Sequence, residues 1–596
     1  MSNNLEGILS QLNPKQQEAV TFGTGPLLIL AGPGSGKTRT LIYRTAYLLI
    51  LKEIPASDIL LLTFTNKAAG EMKQRLTKIL PASSAVPFAG TFHGFCAQVL
   101  RIHGHHLDLP NNYLIYDRAD QIDTIKTVLE KLDLSIKQFK PSSVLATISQ
   151  AKNELIGPLE YPQYARGPWQ ETVARIYLKY QQFLKEYQAL DFDDLLLETV
   201  RLFKKTPEVL TKYQNQYQWV LIDEYQDTNK AQYLLTKMLT KKWRNLNAVG
   251  DASQAIYGWR GADYRNLMAL KDDFSDLKVI NLEQNYRSTQ TILQAANNVI
   301  KQNTSHPILN LWTEQKGGDQ ISIYGADNER QEAEFITEMV KFYFFNQSTD
   351  LAVLYRTNAQ SRLLEETLLQ NGIPYTLVGG VHFYERKEIK DCLAYLRLIA
   401  NPKDKVSRKR AEKLGKRRFE KFKEFVKKNK KEKPTLKWLD QVLKATAYLD
   451  RFDENDPQEL SRIENVKELR SVASEFPNLN DFLQNVALIQ QEYIPEKDKQ
   501  NPNRVTLMTA HAAKGTEFEI VFLIGMEEGL FPHSRALIEK DELEEERRLC
   551  YVAMTRAKKK LYISFAQRRF FFGEAANNQS SRFLKDIPEE LTDVLK

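Results

Sequence analysis

Residues 27–38 read Leu27-Leu28-Ile29-Leu30-Ala31-Gly32-Pro33-Gly34-Ser35-Gly36-Lys37-Thr38. The apolar residues at the start are typical of a buried parallel strand, and the apolar-periodic run after Thr38 predicts a helix. A strand, a glycine-rich turn and a helix in this order form a phosphate-binding loop, whose backbone N–H groups point at phosphate oxygens. In such a loop Lys37 reaches the outer phosphates and the Thr38 hydroxyl ligates Mg²⁺, while Ala31 replaces the usual first glycine. The stretch predicts a nucleoside triphosphate site.

Composition sets the broad class of protein. A length of 596 residues predicts several domains, and 42% hydrophobic with 27% charged residues is ordinary for a soluble globular protein. No apolar run approaches the roughly 20 residues of a membrane span, and the N-terminus has no signal-peptide pattern. Only three cysteines occur (Cys96, Cys392 and Cys550), too few for a four-cysteine cluster and consistent with a reducing compartment. We expect a cytoplasmic protein without a membrane partner.

A second strand ends in acidic residues. The apolar run 219–222 is followed by Asp223 and Glu224. Beside a phosphate loop, an aspartate at this position is the Mg²⁺ partner, and the adjacent glutamate is suited to orient and deprotonate an attacking water. Because a nucleotide switch does not need the second carboxylate, the pair predicts hydrolysis. A solvated acidic turn is the alternative interpretation.

Other polar residues follow predicted strands or lie just before the phosphate loop. Residues 59–64 predict a buried strand that leads into Asn66. Residues 247–251 end another predicted strand, and the segment that follows contains Gln254, Trp259 and Arg260. Ligands bind at the carboxyl ends of strands in open α/β sheets. We expect Gln254 to sense the γ-phosphate or water, and Trp259 with Arg260 to offer a stacking platform and a phosphate clamp, although a buried core tryptophan remains the alternative. Gln16, upstream of the loop, has the amide donor and acceptor needed to read an adenine edge.

Two further patterns leave alternatives open. His93, His103, His105 and His106 permit a zinc site, but no second ligand pair follows at finger spacing, so solvated or core histidines are favoured. Residues 118–187 have a helical pattern with aromatic and basic side chains, among them Tyr161, Tyr164, Arg166, Trp169, Tyr177 and Lys179. These either contact bases and phosphates or belong to ordinary amphipathic helices.

Longer motifs then follow in a fixed order, at 31–38, 63–69, 223–227, 250–262, 282–288, 354–362, 505–533 and 544–557. Together they resemble the superfamily 1 helicases of the UvrD/PcrA/Rep type, over most of the chain outside roughly 115–185 and 400–500. The resemblance implies an α/β fold of two RecA-like P-loop NTPase domains with parallel sheets, each carrying a mainly helical accessory insertion, and an ATP site between the domains. The expected boundaries are 1–110 and 189–280 for the first domain, 111–188 for its insertion, 281–380 and 501–596 for the second domain, and 381–500 for a reduced, basic second insertion.

The resemblance also implies roles for single residues. Catalysis is expected of Lys37, Asp223, Glu224, Gln254, Arg287 and Arg556, the two arginines reaching the γ-phosphate from the second RecA-like domain. ATP contacts are expected of Gln16 at the adenine edge, of Arg39 and Tyr286 on the adenine faces, of Glu517 at the ribose, and of Ala31, Gly32, Pro33, Gly34, Ser35, Gly36, Lys37 and Thr38 at the phosphates. Mg²⁺ is expected at Thr38 and Asp223. The single-strand channel is expected to contain Phe64, Asn66, His93, Tyr257, Trp259 and Arg260.

Two departures from the family pattern bear on function. Thr516 stands where a leucine is usual, which bears on the coupling between cleft and DNA, and the chain ends about forty residues after Arg556, so we expect no nuclease domain. Residues 403–437 carry seventeen Lys or Arg and five Asp or Glu, a net of +12 against +8 for the whole chain. Phe419, Phe422 and Val426 recur at helical spacing there. A basic helix that contacts duplex DNA is favoured over a solvated lysine-rich face.

These observations predict an ATP-dependent DNA helicase that moves 3′ to 5′ on single-stranded DNA; the polarity comes from the resemblance alone. Its expected partners are single-stranded DNA, single/double-strand junctions and proteins of DNA repair or replication restart. Three alternatives stay open: a translocase that strips bound proteins with little unwinding, a non-enzymatic DNA-binding module with a vestigial loop, and an RNA helicase. The intact Glu224, Arg287 and Arg556 argue against the second.

Overall fold

A computed structural model describes residues 9–81, 84–346, 350–429, 431–492, 504–571 and 574–595. The chain divides into two compact units, Met1–Tyr286 with His306–Trp312, and Arg287–Ser305 with Thr313–Lys596. Each unit has its own sheet and helices, which is the α/β fold with parallel sheets predicted from the sequence. Within the described ranges, no helix is both long and apolar enough to cross a membrane.

The first unit is built on a six-stranded parallel sheet in the order β3-β2-β6-β7-β1-β8. The apolar residues of each strand alternate between two buried clusters, one on each face of the sheet. Helices cover both faces, which explains why the residues at 27–31, 59–62 and 219–222 read as continuous apolar runs. The strands are β1 Leu27–Ala31, β2 Ile59–Thr63, β3 Phe88–Thr91, β6 Trp219–Ile222, β7 Asn245–Gly250 and β8 Lys278–Leu282.

The helices of this unit fall into two groups. Those that belong to the sheet domain are α1 Pro14–Thr21, α2 Lys37–Ile50, α3 Asn66–Ile79, α4 Phe92–His103, α8 Phe192–Lys205, α9 Pro207–Gln216, α10 Lys230–Thr240 and α11 Arg265–Asp273. The first insertion contains α5 Arg118–Lys131, α6 Pro141–Asn153 and α7 Pro168–Glu186, which pack around their own apolar cluster. The chain enters and leaves this insertion through a short parallel pair, β4 Leu114–Tyr116 and β5 Ala189–Asp191.

The second unit has a larger sheet in the order β11-β12-β10-β13-β14-β9-β16. All pairs along this path are parallel, and β15 adds to β14 in the antiparallel direction. Its strands are β9 Ile321–Asn328, β10 Asp350–Tyr355, β11 Tyr375–Leu377, β12 Arg504–Thr509, β13 Phe518–Leu523, β14 Ala557–Phe571, β15 Glu574–Asn577 and β16 Thr592–Leu595. Its helices outside the insertion are α12 Gln290–Ile300, α13 Glu329–Phe345, α14 Ser361–Gln370 and α21 Lys540–Met554.

The second insertion is helical and has a separate core. Its helices are α15 Lys387–Ala400, α16 Lys405–Lys413, α17 Lys416–Lys428, α18 Thr435–Thr446, α19 Pro457–Glu475 and α20 Leu479–Glu492. They enclose one apolar cluster that runs from Phe383 to Ile489. The predicted amphipathic helix with Phe419, Phe422 and Val426 lies within α17. A separate helix, α16, precedes it, and Gly415 between them has a φ of +125° that an α-helix does not allow. The boundaries given for the six parts of the chain stay predictions.

Candidate active site

The phosphate-loop sequence folds as β1, a tight turn and α2, with Lys37 as the first helical residue. Gly34 and Gly36 have φ values of +67° and +85°, in the left-handed region that glycine adopts without strain. Gly32 is required for a different reason: a Cβ atom there would lie 2.4 Å from a methyl carbon of Leu311. A side chain would therefore strain the backbone at Gly34 and Gly36 and would displace Leu311 at Gly32.

Residues far along the chain hold this loop in place. Asn285 donates from Nδ2 to the carbonyl of Pro33 at 2.7 Å, and the backbone N–H of Tyr286 donates to the carbonyl of Gly34 at 2.9 Å. Both residues belong to the first unit. Sequence reasoning missed Asn285, although it lies inside the family motif at 282–288. These two hydrogen bonds fix the carbonyls of Pro33 and Gly34.

Asp223 follows β6 and lies against the start of α2. The Thr38 hydroxyl donates to its Oδ2 at 2.8 Å, and the Glu224 backbone N–H donates to its Oδ1 at 3.1 Å. Burial, together with the neighbouring Glu224, raises the pKa of Asp223 to about 7. A buried carboxylate beside a hydroxyl is the oxygen donor set that Mg²⁺ takes next to phosphates. The two residues predicted to hold Mg²⁺ are in contact, and their chemistry fits that ion.

Glu224 has an unusual backbone. Its φ of +53° lies in the left-handed region, where non-glycine residues are uncommon and cost about 1–3 kcal/mol. Its carboxylate accepts from Gln226 Nε2 at 2.5 Å, and the Gln226 amide oxygen accepts from the backbone N–H of Asp251 at 3.0 Å. Gln254 Nε2 donates to Asp251 Oδ2 at 2.6 Å. Hydrogen bonds through Gln226 and Asp251 thus connect Glu224 with Gln254. The sequence predicted site roles for Glu224 and Gln254 but not for the two residues between them.

The predicted adenine-side residues lie near the same loop. Gln16 is buried, and its Nε2 donates to the carbonyl of Ser35 at 2.9 Å. Tyr286 is half-exposed, and its hydroxyl accepts from Asn13 Nδ2 at 2.7 Å. The Arg39 guanidinium donates to a backbone carbonyl in the segment before α1 and stacks over an adjacent tyrosine ring. All three belong to the first unit.

The predicted DNA contacts follow the carboxyl ends of β2, β3 and β7. Phe64 and Asn66 come after β2, and His93 lies in the first turn of α4 after β3. Burial lowers the pKa of His93 to about 4, so its ring is neutral at physiological pH and suited to stacking. The exposed ring of Phe192 lies edge-on to His93 with centroids 6.0 Å apart. Phe192 was missed because one exposed aromatic leaves no pattern in a sequence.

Trp259 and Arg260 form one exposed surface. They occupy a short 3₁₀ turn after Tyr257, and the Arg260 guanidinium lies 4.5 Å from the centroid of the Trp259 indole. Trp259 is 42% exposed, which excludes the core-tryptophan alternative. A planar cation on an exposed indole presents a flat surface for a base and a donor for its phosphate.

Three predicted residues belong to the second unit. Arg287 pairs with Glu517 at 2.8 Å, and although burial opposes it, this cation and Lys558 lower the pKa of the Glu517 carboxyl. Arg556 is buried, and its guanidinium donates to the carbonyls of Val552 at 2.8 Å and Thr516 at 3.1 Å. Thr516, the position that departs from the family pattern, thus meets Arg556 through its backbone. A threonine side chain leaves that contact intact.

The aromatic residues of the first insertion divide by exposure. Tyr161 and Tyr177 are in its buried cluster with ring centroids 5.9 Å apart, so they are core residues of amphipathic helices. Tyr164 and Trp169 are exposed.

The histidines 103, 105 and 106 lie together at the end of α4, and no group of three or more His, Cys, Asp or Glu in the described ranges has metal-binding geometry. The zinc alternative gains no support.

The basic tract, defined here as residues 403–437, has an apolar side and a charged side. Phe419 and Phe422 are buried in the core of the second insertion, whereas Val426 is only partly buried. The lysines and arginines that face solvent are Lys403, Lys405, Arg408, Lys409, Lys413, Lys416, Arg417, Lys421, Lys427, Lys428, Lys431 and Lys437. Lys430 lies outside the described residues. The predicted amphipathic character is confirmed for α17.

Comparison with known proteins matches both units to one family. Residues 12–275 match the UvrD/REP helicase N-terminal domain, and residues 280–455 and 417–568 match the UvrD-like helicase C-terminal domain. The chain is 44% identical to an ATP-dependent DNA helicase PcrA of Staphylococcus epidermidis, over 99% of this chain and 88% of that protein. It is 42% identical to PcrA of Bacillus subtilis over 99% of this chain and 87% of the relative, and 43% identical to PcrA of Staphylococcus aureus over 98% and 87%.

Proposed function

The chain belongs to the UvrD/REP helicase family and is an ATP-dependent DNA helicase, and we propose that it moves 3′ to 5′ along single-stranded DNA. The observation that carries the motor chemistry is the contact between Thr38 and Asp223, with Glu224 beside it at the mouth of the phosphate loop. A protein that only holds nucleotide needs the loop and the aspartate. A protein that hydrolyses the nucleotide also needs a base for the attacking water, and the adjacent Glu224, held in a strained backbone conformation, is suited to that role.

We propose the following roles in ATP hydrolysis. The loop N–H groups and Lys37 bind the phosphates, and Thr38 with Asp223 would hold Mg²⁺, which when bound neutralises phosphate charge. Glu224 orients the attacking water and accepts its proton, and Gln226 holds the Glu224 carboxylate in position by the 2.5 Å hydrogen bond.

The remaining nucleotide contacts are also proposals. Gln254 responds to the γ-phosphate and passes the change to Asp251, to which its Nε2 donates. The Gln16 amide gives up its hydrogen bond to the Ser35 carbonyl and bonds to the adenine edge instead. Arg287 and Arg556 neutralise the charge that develops on the γ-phosphoryl group. The backbone carbonyls that Arg556 contacts carry no formal charge, so a phosphate oxygen is a stronger partner for its guanidinium.

On the DNA side, we propose that bases stack on Trp259 and Phe64 and near His93, while Arg260 pairs with backbone phosphate. The basic tract contacts the duplex at a single/double-strand junction, because its charge faces solvent while its aromatic residues are buried. We place the enzyme in the cytoplasm, in DNA repair or replication restart, with the proteins of those processes as partners.

The ATPase reaction tests this function. Phosphate release should rise at least tenfold with single-stranded DNA, and an RNA of the same sequence should stimulate it much less. Glu224→Gln is the matched control: it keeps ATP binding but removes the base, which should lower the rate by a factor of about 10² or more. A rate of ATP hydrolysis that single-stranded DNA does not change, or an unchanged rate in Glu224→Gln, contradicts the proposal.

The duplex interaction has its own test. Replacing Lys427, Lys428, Lys430 and Lys431 with glutamine should weaken binding to a forked substrate. The slope of log affinity against log salt should become shallower by about 0.9 for each phosphate that the variant no longer neutralises. A variant with Lys52, Lys78 and Lys241 replaced, all exposed and outside the basic tract, is the control. An unchanged salt slope contradicts the duplex interaction.

Strand displacement and translocation on single-stranded DNA test the protein-stripping alternative. Full translocation by the wild-type enzyme with no strand displacement would favour it.

A further inference from the structure

Asn153, the last residue of α6 in the first insertion, contacts three segments of the sheet domain. Its Oδ1 accepts from Asn229 Nδ2 at 2.5 Å, and its side chain also hydrogen-bonds to Asp193. Its carboxamide packs on Gly261, where a Cβ atom would lie 3.5 Å from Asn153 Nδ2. One short polar side chain therefore joins elements that are far apart in sequence.

Each of these segments carries a part of the proposed motor. Asn229 caps the start of α10 and ends the segment that begins with Asp223 and Glu224. Gly261 closes the turn of Trp259 and Arg260. Asp193 is in the first turn of α8, next to the exposed ring of Phe192. Asn153 thus lies where the hydrolytic segment and the DNA-facing surfaces come together within one unit.

The neighbouring residues of α6 fix Asn153 in space. Lys152 is fully buried, and its Nζ lies 2.7 Å from both Asp191 Oδ2 and Asp194 Oδ1. The Ser149 hydroxyl donates to Asp193 Oδ2 at 2.6 Å. Because a buried lysine between two carboxylates tolerates little displacement, the end of α6 moves with the sheet domain. The backbone of Asn153 is therefore anchored, and its carboxamide lies between the turn at 258–261 and the segment at 223–229.

We propose that Asn153 is a positioning residue that couples DNA binding at Trp259 and Arg260 to ATP hydrolysis at Glu224. The proposal rests on the proposed function. A base that stacks on Trp259 presses on the turn that Gly261 closes. The Asn153 carboxamide, which contacts that turn, turns with it and shifts Asn229 and so the segment of Glu224. The backbone gives a second link in the same place, since Asp263 N–H donates to the Thr228 carbonyl at 2.9 Å. Coupling through packed, hydrogen-bonded side chains of this kind is typically modulated by single mutations.

The test compares Asn153→Ala with Glu154→Ala in the full chain. Glu154 pairs with Lys230 at 3.0 Å and so joins the same two helices, but both partners are more than half exposed and the pair contributes little. For Asn153→Ala, we expect basal ATPase within twofold of wild type. The concentration of a dT oligonucleotide that gives half-maximal stimulation, or the stimulated rate itself, should change by roughly 2- to 30-fold. Glu154→Ala should match wild type in all three quantities.

A second variant separates coupling from loss of structure. Asn229→Ser keeps a side-chain cap for α10 but removes the donor to Asn153. If the two residues act through their hydrogen bond, the double variant should respond to DNA as either single variant does, and should not show the product of both effects.

Three results would overturn the inference: a normal DNA response in Asn153→Ala, an equal fall in basal and stimulated rates, or independent effects in the double variant. A lower unfolding temperature accompanied by a lower basal rate counts as the second of these. A wild-type enzyme that single-stranded DNA does not stimulate would instead refute the proposed function.

Discussion

Replacing Asp223 with asparagine should stabilise the nucleotide-free protein at pH 8 while it removes ATP hydrolysis. The carboxyl is buried next to Glu224, and its pKa rises from 3.8 to about 7. Between those values the folded protein holds a proton that the unfolded chain has released, so stability falls as the pH rises from about 4 to about 7. Above pH 7 the folded state must keep a buried anion, which an amide avoids.

The size of the effect follows from the pKa. Each tenfold change in a protonation constant is worth about 1.4 kcal/mol, so the upper limit is about 4 kcal/mol at pH 8. Asparagine keeps an oxygen for one of the two donors that Asp223 accepts from, and the Thr38 hydroxyl can turn to accept from its Nδ2. We therefore expect about half the limit, a rise of roughly 3–6 °C in the unfolding temperature of the first unit.

The assay is the unfolding temperature of wild type and Asp223→Asn between pH 4 and pH 8, without nucleotide. The difference should be near zero at pH 4 and should grow with pH up to about 7. Asp276→Asn is the control, because Asp276 is exposed and its Arg244 partner lowers its pKa, so this change should give no increase. If Asp223→Asn lowers the unfolding temperature throughout this range, the ionised Asp223 carboxylate does not destabilise the folded protein. That result would refute the expected stabilisation.

Four other substitutions test single contacts. Lys37→Ala removes the cation at the outer phosphates and should lower the DNA-stimulated rate by a factor of about 10² or more in a phosphate-release assay; a full rate would show that the site assignment is wrong. Trp259→Ala loses a stacking surface worth about 1–3 kcal/mol per base, so it should bind oligonucleotide about 5- to 150-fold more weakly in a fluorescence titration. It should also stop translocation while nucleotide still binds. Gly32→Ala brings a Cβ atom to 2.4 Å from Leu311 and should cost about 1–3 kcal/mol in thermal unfolding, and adding Leu311→Ala should relieve the clash; equal losses without and with the second change would contradict it. Arg556→Lys should lower the stimulated rate by a factor of about 10³ with ATP binding little changed, and a smaller loss would mean that the guanidinium is not used in the transition state.

The strands that position the site were predictable because both faces of each sheet are covered. The residues of β1 and β6, and those of β2 up to Leu62, are apolar without interruption, and the polar residues that follow them mark the strand ends. Thr38 and Asp223 were paired from sequence on this basis, and the structure brings them to 2.8 Å. Local pattern was sufficient here, since a strand end and a helix start fix where a side chain points.

Contacts between distant segments were not predictable in the same way. The need for glycine at position 32 comes from Leu311, and the loop carbonyl of Pro33 is held by Asn285. Neither pairing leaves a periodic or compositional pattern. The burial of Lys152 has no signal in the local sequence either, because its carboxylate partners are about forty residues away.

The left-handed backbone of Glu224 and the raised pKa of Asp223 also lay beyond the sequence. Both are properties of a packed environment, since they depend on which groups are buried together. The basic tract shows an intermediate case. Its amphipathic pattern was visible and lies within α17, whereas the separate helix α16 on the other side of Gly415 was not predicted.

The most direct measurement of the central claim is strand displacement on duplexes that carry either a 3′ or a 5′ single-stranded tail, with ATP and Mg²⁺. We predict that the enzyme separates the 3′-tailed duplex, that it leaves the 5′-tailed duplex intact, and that Glu224→Gln separates neither. Equal activity on both substrates, a preference for the 5′ tail, or strand separation without hydrolysis would contradict an ATP-driven 3′ to 5′ motor.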